Sequence, residues 1–271
     1  MPILTDITLG QYYPAESIVH QLDPRTKLFV TLIFMTIMLI FGHPLVLLVL
    51  ASGLFLIIKN SKVPAALILK NLKPFLWLFI LTIVVHVIFS DRSQSLRVPG
   101  IPLYISRQGL LNGLTYSLRL GLLILFAAIL TLTTSPIEIT DALEKLLTPL
   151  RRIGLPVHDI TMMITLSLRF IPTLILEADK LRKAQISRGV NFTGNLFRRV
   201  NSVIPLLLPL FMSVFRRADE LALAMDARCY TGGDDRTRYK NLEFQSTDHI
   251  VLGASICLFL VAIVMKYLKL I

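Results

Sequence analysis

The chain has 271 residues, of which 54% are hydrophobic and only 17% charged, with a net charge of +11 and a mean hydropathy of +0.70. That balance excludes a soluble domain of this size and predicts an integral membrane protein of the all-α class. Lys and Arg flank apolar runs instead of forming a basic patch interleaved with aromatics, so the charge reads as a topology signal, with lipid as the environment and no nucleic-acid partner.

A hydrocarbon core of about 30 Å needs roughly 17 to 25 helical residues. Five runs answer to this, at about 26–42, 43–58, 74–90, 109–134 and 249–268. Asp6, Glu16 and Asp23 precede the first run and no small-residue cleavage site follows it, so the N-terminus is expected in the cytoplasm. Asp23-Pro24 supplies an N-cap and a proline at the first helical position. Gly42-His43-Pro44 predicts a tight turn between the first two spans, and a 15-residue loop carrying lysines returns the chain to Pro74. Between Asp91 and Arg107, Val98-Pro99-Gly100-Ile101-Pro102 marks a turn between short β-prone runs, expected as a small external cap.

Charge sets the orientation. Arg25, Lys27, Lys59, Lys62, Lys70, Lys73, Lys145, Arg151, Arg152, Arg236, Arg238 and Lys240 lie on one side. Arg92, Arg97, Arg107, Lys266 and Lys269 lie on the other. The positive-inside rule makes the richer side cytoplasmic in a multi-pass protein of the cell membrane.

Residues 135–248 carry sixteen Lys or Arg and thirteen Asp or Glu, against twelve and four elsewhere, and read as a cytoplasmic domain. The predicted organisation is therefore 1–134 with four transmembrane helices, 135–248 as a helical cytoplasmic domain, and 249–271 as the last transmembrane helix. Within the middle region, helices are predicted over about 137–151, 157–188 and 196–228, punctuated by Ser135-Pro136, Gly154-Leu155-Pro156 and Gly189 through Asn195. The last two are long amphipathic helices. Their nearly apolar pieces, 160–176 and 203–215, are expected not to cross the bilayer: one holds Arg169 and Pro172, the other is 13 residues with Pro205 and Pro209.

Those two helices end in a pattern written twice, 40 residues apart. Ala178-Asp179-Lys180-Leu181-Arg182-Lys183-Ala184-Gln185-Ile186-Ser187-Arg188-Gly189 aligns with Ala218-Asp219-Glu220-Leu221-Ala222-Leu223-Ala224-Met225-Asp226-Ala227-Arg228-Cys229, with five identities. A C-terminal Arg is favoured by the helix dipole alone, typically by about 0.3 to 1 kcal/mol. The dipole does not explain why both arginines close the same pattern between small neighbours that let a partner backbone approach, which points to two equivalent sockets on another protein. Ala178, Leu181 and Ala184, with Ala218, Leu221 and Ala224, are spaced for close crossing of the two helices. Asp179 and Asp219 read as paired or solvated surface charges.

Gly109, Gly113, Ser117 and Gly121 form a small-residue series suited to tight packing of the fourth span. Arg119 in the same span is costly in lipid and is expected to be satisfied by Asn112 and Tyr116, in a structural role. His86 has no ligand-spaced partner, and Cys229 and Cys257 read as inert packing residues, so no metal site is expected. No phosphate-binding loop and no nucleophile elbow occur, so neither enzymatic chemistry nor a nucleotide site is expected in this chain.

The stretch Gly10-Gln11-Tyr12-Tyr13-Pro14 through His20-Gln21-Leu22-Asp23-Pro24-Arg25-Thr26-Lys27, together with the two x-Arg-x signatures, resembles the transmembrane T component, EcfT, of energy-coupling factor (ECF) vitamin transporters. The resemblance covers essentially the whole chain and is nearest the shared, group II type. It implies that Ser187-Arg188-Gly189 and Ala227-Arg228-Cys229 each dock in a groove on one of two related ABC ATPase subunits, while the chain holds an interchangeable vitamin-binding S component. ATP is then bound by the partner subunits, the chain carries no cofactor, and ATP-driven closure moves the long helices against the S component. Two flanking positions, Ser187 and Cys229, depart from the common Ala-Arg-Gly wording, with small residues in their place. In the resembled family the S component chooses the vitamin. The alternative reading is a conventional ABC importer permease with its own pathway through Arg119, His86 and Tyr116. A membrane enzyme or free-standing channel is the third.

Overall fold

The computed structural model describes residues 12–89, 95–97, 104–190, 195–230, 232 and 243–267. Asp6, Gly10, Gln11, the 98–102 turn, and the basic residues Arg92, Arg236, Arg238, Lys240 and Lys269 lie outside the described residues. The chain forms two compact units, one from Gly10–Ala142 with Leu242–Ile271, the other built on Leu143–Asn241.

The first unit opens with a single turn, α1 (Ile18–Gln21), followed by α2 (Pro24–Ile40) and α3 (Pro44–Ser61). Each of the long helices starts as its sequence dictates. The Asp23 carboxylate accepts from Arg25 N–H ahead of Pro24, and the His43 ring accepts from Leu45 N–H ahead of Pro44. The three residues between α2 and α3 make the expected tight turn.

The lysine-bearing loop is much shorter than the sequence suggests. After a left-handed Lys62, α4 (Ala65–Leu72) runs through a 3-10 turn at Lys73–Phe75 into α5 (Leu76–Phe89). Pro74 tightens this helix without opening it, because its missing N–H falls at a 3-10 start. Lys70 and Lys73 thus sit on helix, and Ile68 of α4 is buried. Next come an antiparallel pair, β1 (Ser95–Arg97) with β2 (Tyr104–Ser106), in the β-prone runs flanking 98–102, and then α6 (Arg107–Thr133). Later in the chain, α10 (Ser246–Tyr267) completes the unit.

The core lies where α2, α3 and α6 meet, with Ile37, Met38, Leu47, Leu50 and Leu54 almost fully buried and Phe34 against Phe126 at 4.8 Å. Much of the remaining apolar surface faces outward, as lipid requires. On α6 the small-residue series meets α5: a Cβ on Gly113 would stand 3.0 Å from the Ile83 Cα, and one on Gly121 3.8 Å from Phe79. Glycine at 113 is what allows these two helices to touch backbone to backbone.

A buried polar knot ties the start of α2 to the end of α6 and the start of α10. Lys27, counted as a flanking topology charge in the sequence, is only 7% exposed. Its ammonium donates to the carbonyls of His20 (2.9 Å) and Thr133 (3.0 Å). Tyr13 N–H bonds the Leu132 carbonyl at 3.0 Å. Burial, helped by the Lys27 cation, holds the His20 pKa below its ordinary value. The neutral ring donates from Nε2 to the Tyr13 carbonyl (3.0 Å) and accepts at Nδ1 from the Ser17 hydroxyl (2.7 Å). Asp248, fully buried, accepts from Asp23 N–H at 2.9 Å and reaches back to Gln245 N–H at 2.8 Å. The N-terminal wording from Tyr13 to Lys27 thus serves as a strap.

Among the described residues, five helices are long and apolar enough to cross a membrane: Pro44–Ser61, Ala65–Phe89, Gln108–Thr133, Val157–Ser187 and Ser246–Tyr267. The all-α membrane architecture stands. Two memberships differ from the five predicted spans. The first predicted span, α2, has 17 residues, at the short end for a bilayer. By length and composition α8 (Val157–Ser187) qualifies, although its Arg169 is exposed in the middle of the apolar stretch.

The second unit takes its entry from α7 (Pro136–Leu147), which begins at the end of the first unit with a capping box. Ser135 Oγ accepts from Glu138 N–H, and the Glu138 carboxylate accepts from Ser135 N–H. A 3-10 segment, Thr148–Ile153, and Gly154 at φ +88° lead into α8, and α9 (Leu196–Asp226) follows. Each of α8 and α9 has 31 residues and contains its prolines without a break.

Two acidic side chains of α8, only two residues apart, divide cleanly by role. The Glu177 carboxylate accepts from the Ser213 hydroxyl and from Arg217 Nη2 (3.1 Å) on α9, whereas Asp179 pairs with Lys183 at 2.7 Å on an exposed face of its own helix. Replacing Glu177 by Ala is expected to lower unfolding stability by about 1–2 kcal/mol, and Asp179→Ala to change it by less than about 0.5 kcal/mol, in denaturant titrations of the detergent-solubilised chain. In the first unit, Asp248→Ala orphans the buried Asp23 N–H and removes the acceptor of Gln245 N–H, and is expected to cost about 2–3 kcal/mol, seen as a lowered melting temperature and proteolysis ahead of α2.

Candidate functional site

Both long helices end in the same main-chain cap, built from their own sequences. In α8, Arg188 occupies the C-cap with φ −85°, and Gly189 follows at φ +87°. Gly189 N–H bonds the Ile186 carbonyl at 2.9 Å, and Val190 N–H bonds that of Gln185 at 3.0 Å. In α9, Cys229 follows Arg228 at φ +55°. Cys229 N–H bonds the Asp226 carbonyl at 2.9 Å, and Tyr230 N–H bonds that of Met225 at 3.0 Å. Each is a Schellman motif, and the two are equivalent atom for atom at an offset of 40 residues.

This geometry explains the flanking residues. The position after each arginine must be left-handed, which suits Gly189 at no cost. Cys229 adopts the same conformation against a steric penalty of about 1–2 kcal/mol. It is exposed, so the expected packing role is overturned: its backbone, and not an apolar pocket, defines its place.

Ser187, Arg188 and Gly189 are all exposed, and so are Ala227, Arg228 and Cys229. Neither guanidinium has a hydrogen bond or ion pair among the described residues. The caps fix the backbone and turn the last carbonyls inward, leaving each arginine as an unpaired, five-donor fork at the tip of a helix.

The relation between the tips follows from how α8 and α9 cross. Glu177 touches Ser213 and Arg217, while farther along the Tyr230 hydroxyl meets Met162 Sδ at 2.7 Å. As residue numbers fall on α8 they rise on α9, so the helices run antiparallel. Glu177 and Arg217 are themselves 40 residues apart and so occupy equivalent positions of the repeat. When equivalent positions of two copies touch, a local two-fold axis passes between them. Each arginine lies eleven residues beyond that axis on its own helix. At about 1.5 Å per residue the tips stand on the order of 30 Å apart, directed oppositely.

The sequence did not single out Glu177 or Arg217, which stand just before the duplicated Ala178 and Ala218. The signal was available: one register of the repeat offers an acid in one copy and a base in the other. Ala184 and Ala224, expected at the crossing, are instead exposed. Asn112 and Tyr116 also behave differently from expectation. Tyr116 stacks on His86 at 4.6 Å and does not bond Arg119, Asn112 is exposed, and Arg119 Nε is buried without a partner among the described residues. No group of three or more metal-ligating side chains occurs among the described residues.

Comparison with known proteins bears directly on these features. Residues 15–239 match the family model described as cobalt transport protein, CbiQ. An energy-coupling factor transporter transmembrane protein EcfT from Acidaminococcus fermentans is 43% identical, with 98% of each chain aligned. The proteins of that name from Heliobacterium modesticaldum, 48% identical over 93% of this chain and 94% of its own, and from Bacillus subtilis, 41% identical over 94% and 97%, are similar throughout. The match takes in the strap, the spans and both arginine-capped helices, and the chain belongs to the EcfT family, the energy-coupling transmembrane components of energy-coupling factor transporters.

Proposed function

We propose that Ser187-Arg188-Gly189 and Ala227-Arg228-Cys229 are the docking tips through which two ABC ATPase subunits drive this chain. The observation that carries the proposal is the duplication of one exposed, unpaired arginine on one identical helix cap, related by a local two-fold axis. Two related ATPases that close on each other across ATP present two equivalent sockets, which such a pair fits. ATP is bound and hydrolysed by those partners, and this chain supplies neither a cofactor site nor catalytic groups.

The docking tips belong to a coupling domain, residues 135–248, on the cytoplasmic side of the cell membrane, with the N-terminus on that side too. Charge placement supports a flat pose for α8 and α9. Residues 178–188 of α8 and 216–228 of α9 are the charged ends of antiparallel helices, so an upright pair would put a charged half into lipid at every depth. Exposed apolar side chains on the same helices, including Met163, Leu208, Phe211 and Phe215, support a second contact, with a membrane-embedded, vitamin-binding S component. Closure of the ATPases would then move both tips together, and the rigid crossing at Glu177 would pass the motion to that surface.

Arg188→Ala and Arg228→Ala each remove an exposed side chain and are expected to leave the stability of the isolated chain within about 0.5 kcal/mol. Each is expected to weaken ATPase association by roughly 2–5 kcal/mol, the cost of a lost desolvated charge contact. Copurification of ATPase subunits with tagged chain, alongside vitamin uptake in cells, measures this; full assembly and uptake in the double variant would refute the proposal.

A further inference from the structure

Arg119, inside the predicted span α6, has no task in the proposed mechanism. It is the thirteenth of the 27 residues of α6, about 18 Å from the helix start and about 21 Å from its end, and so close to the bilayer midplane. Its Nε is fully covered and has no hydrogen-bond partner among the described residues. One turn before it, Tyr116 is 46% exposed. The Tyr116 ring is stacked 4.6 Å from His86 of α5, and His86 Nδ1 donates to the Thr82 carbonyl at 2.8 Å, which leaves Nε2 unused. Gly113 brings α6 against His86 and Ile83 and so assembles the cluster. A charged fork, a phenol and a free ring nitrogen therefore share one face of the α5–α6 pair at mid-depth, where an unpaired cation is strongly disfavoured.

We propose that this cluster is a docking site for a carboxylate on a transmembrane helix of another subunit, with Arg119 as its counter-ion and Tyr116 and His86 beside it. Depth selects a protein over a lipid. The hydrocarbon core is about 30 Å thick, which puts anionic headgroups roughly 15 Å from Arg119, beyond the reach of its side chain. Composition selects a different protein over a second copy. No Asp or Glu occurs in α2, α3, α4, α5 or α6, and the one in α10, Asp248, is buried and already engaged. The site rests on the reading that this chain holds a membrane-embedded partner, and it assigns that contact a polar anchor within an apolar interface. An Arg–carboxylate pair in lipid fixes depth and rotation of the partner helix, as apolar packing alone does not.

The test uses the tagged full-length chain purified from membranes with the subunits that accompany it, with a benzophenone amino acid at exposed Leu118. Illumination is expected to link Leu118 to a membrane subunit within one helical turn of an Asp or Glu. Arg119→Leu and Arg119→Glu are expected to reduce retention of that subunit at least about tenfold while the ATPases stay bound, and Arg119→Lys to reduce it less. Because Leu in place of an orphaned cation suits lipid, Arg119→Leu is also expected to keep or raise the melting temperature of the isolated chain. Retention within twofold of wild type in Arg119→Leu overturns the site, as does a cross-link to lipid alone or to a helix without an acid nearby. Arg119-dependent binding of a small organic anion to the purified chain alone overturns it in favour of a substrate pathway. If the wild-type chain retains neither ATPases nor a membrane subunit, the proposed function fails and the site with it. If the ATPases remain and only the Arg119 effect is missing, the site alone fails.

Discussion

The crossing of α8 and α9 at Glu177 is the constraint on which the functional geometry rests. One carboxylate receives a hydroxyl and a guanidinium from the neighbouring helix, and because its partner Arg217 is its own counterpart in the repeat, the contact lies on a local two-fold axis. Register and symmetry are thereby fixed together. A slip of one residue between these helices would rotate each by about 100° relative to the other and turn the arginine tips out of equivalence. The paired caps then finish the task locally: they satisfy the last carbonyls with backbone N–H groups, so that neither arginine is needed to close its own helix.

The membrane unit applies the opposite strategy, burying its charges. Lys27 and Asp248 spend their hydrogen bonds on backbone groups at three chain segments, where α2, α6 and α10 come together. In a bundle whose apolar contacts resemble those available from lipid, such directional bonds specify a single arrangement where packing alone would allow several. Gly113 does the same by shape, since only a residue without a side chain lets α6 approach the α5 backbone this closely.

Much of this was legible in the sequence where a single residue acts through its own backbone. Asp23-Pro24 and His43-Pro44 mark helix starts, the apolar runs mark spans, and the duplicated pattern marks the tips. Features that require two distant residues to meet were not legible. Glu177 and Arg217 carry no individual signal, and Lys27 resembles a flanking charge, because only the fold brings Glu177 to Arg217 and a carbonyl from position 133 to the Lys27 ammonium. The lysines and Pro74 give the region from Lys59 to Lys73 the composition of a loop, yet Ile68 and a 3-10 turn keep most of it helical. Cys229 carried a second message as well: where its counterpart is glycine, the substitution tells of a tolerated left-handed backbone, not of a packed thiol.

The central claim is that two equivalent tips engage two ATPase subunits from one side of the membrane. It is tested most directly by placing a single cysteine at Ser187 or at Ala227 in a chain otherwise free of cysteine, and cross-linking the intact complex in sealed vesicles of known orientation. The account predicts that each position forms an adduct with an ATPase subunit, the two positions with different copies, and that both react with an impermeant thiol reagent only from the cytoplasmic face. Labelling of the two positions from opposite faces, or adducts with no ATPase at either, would contradict it.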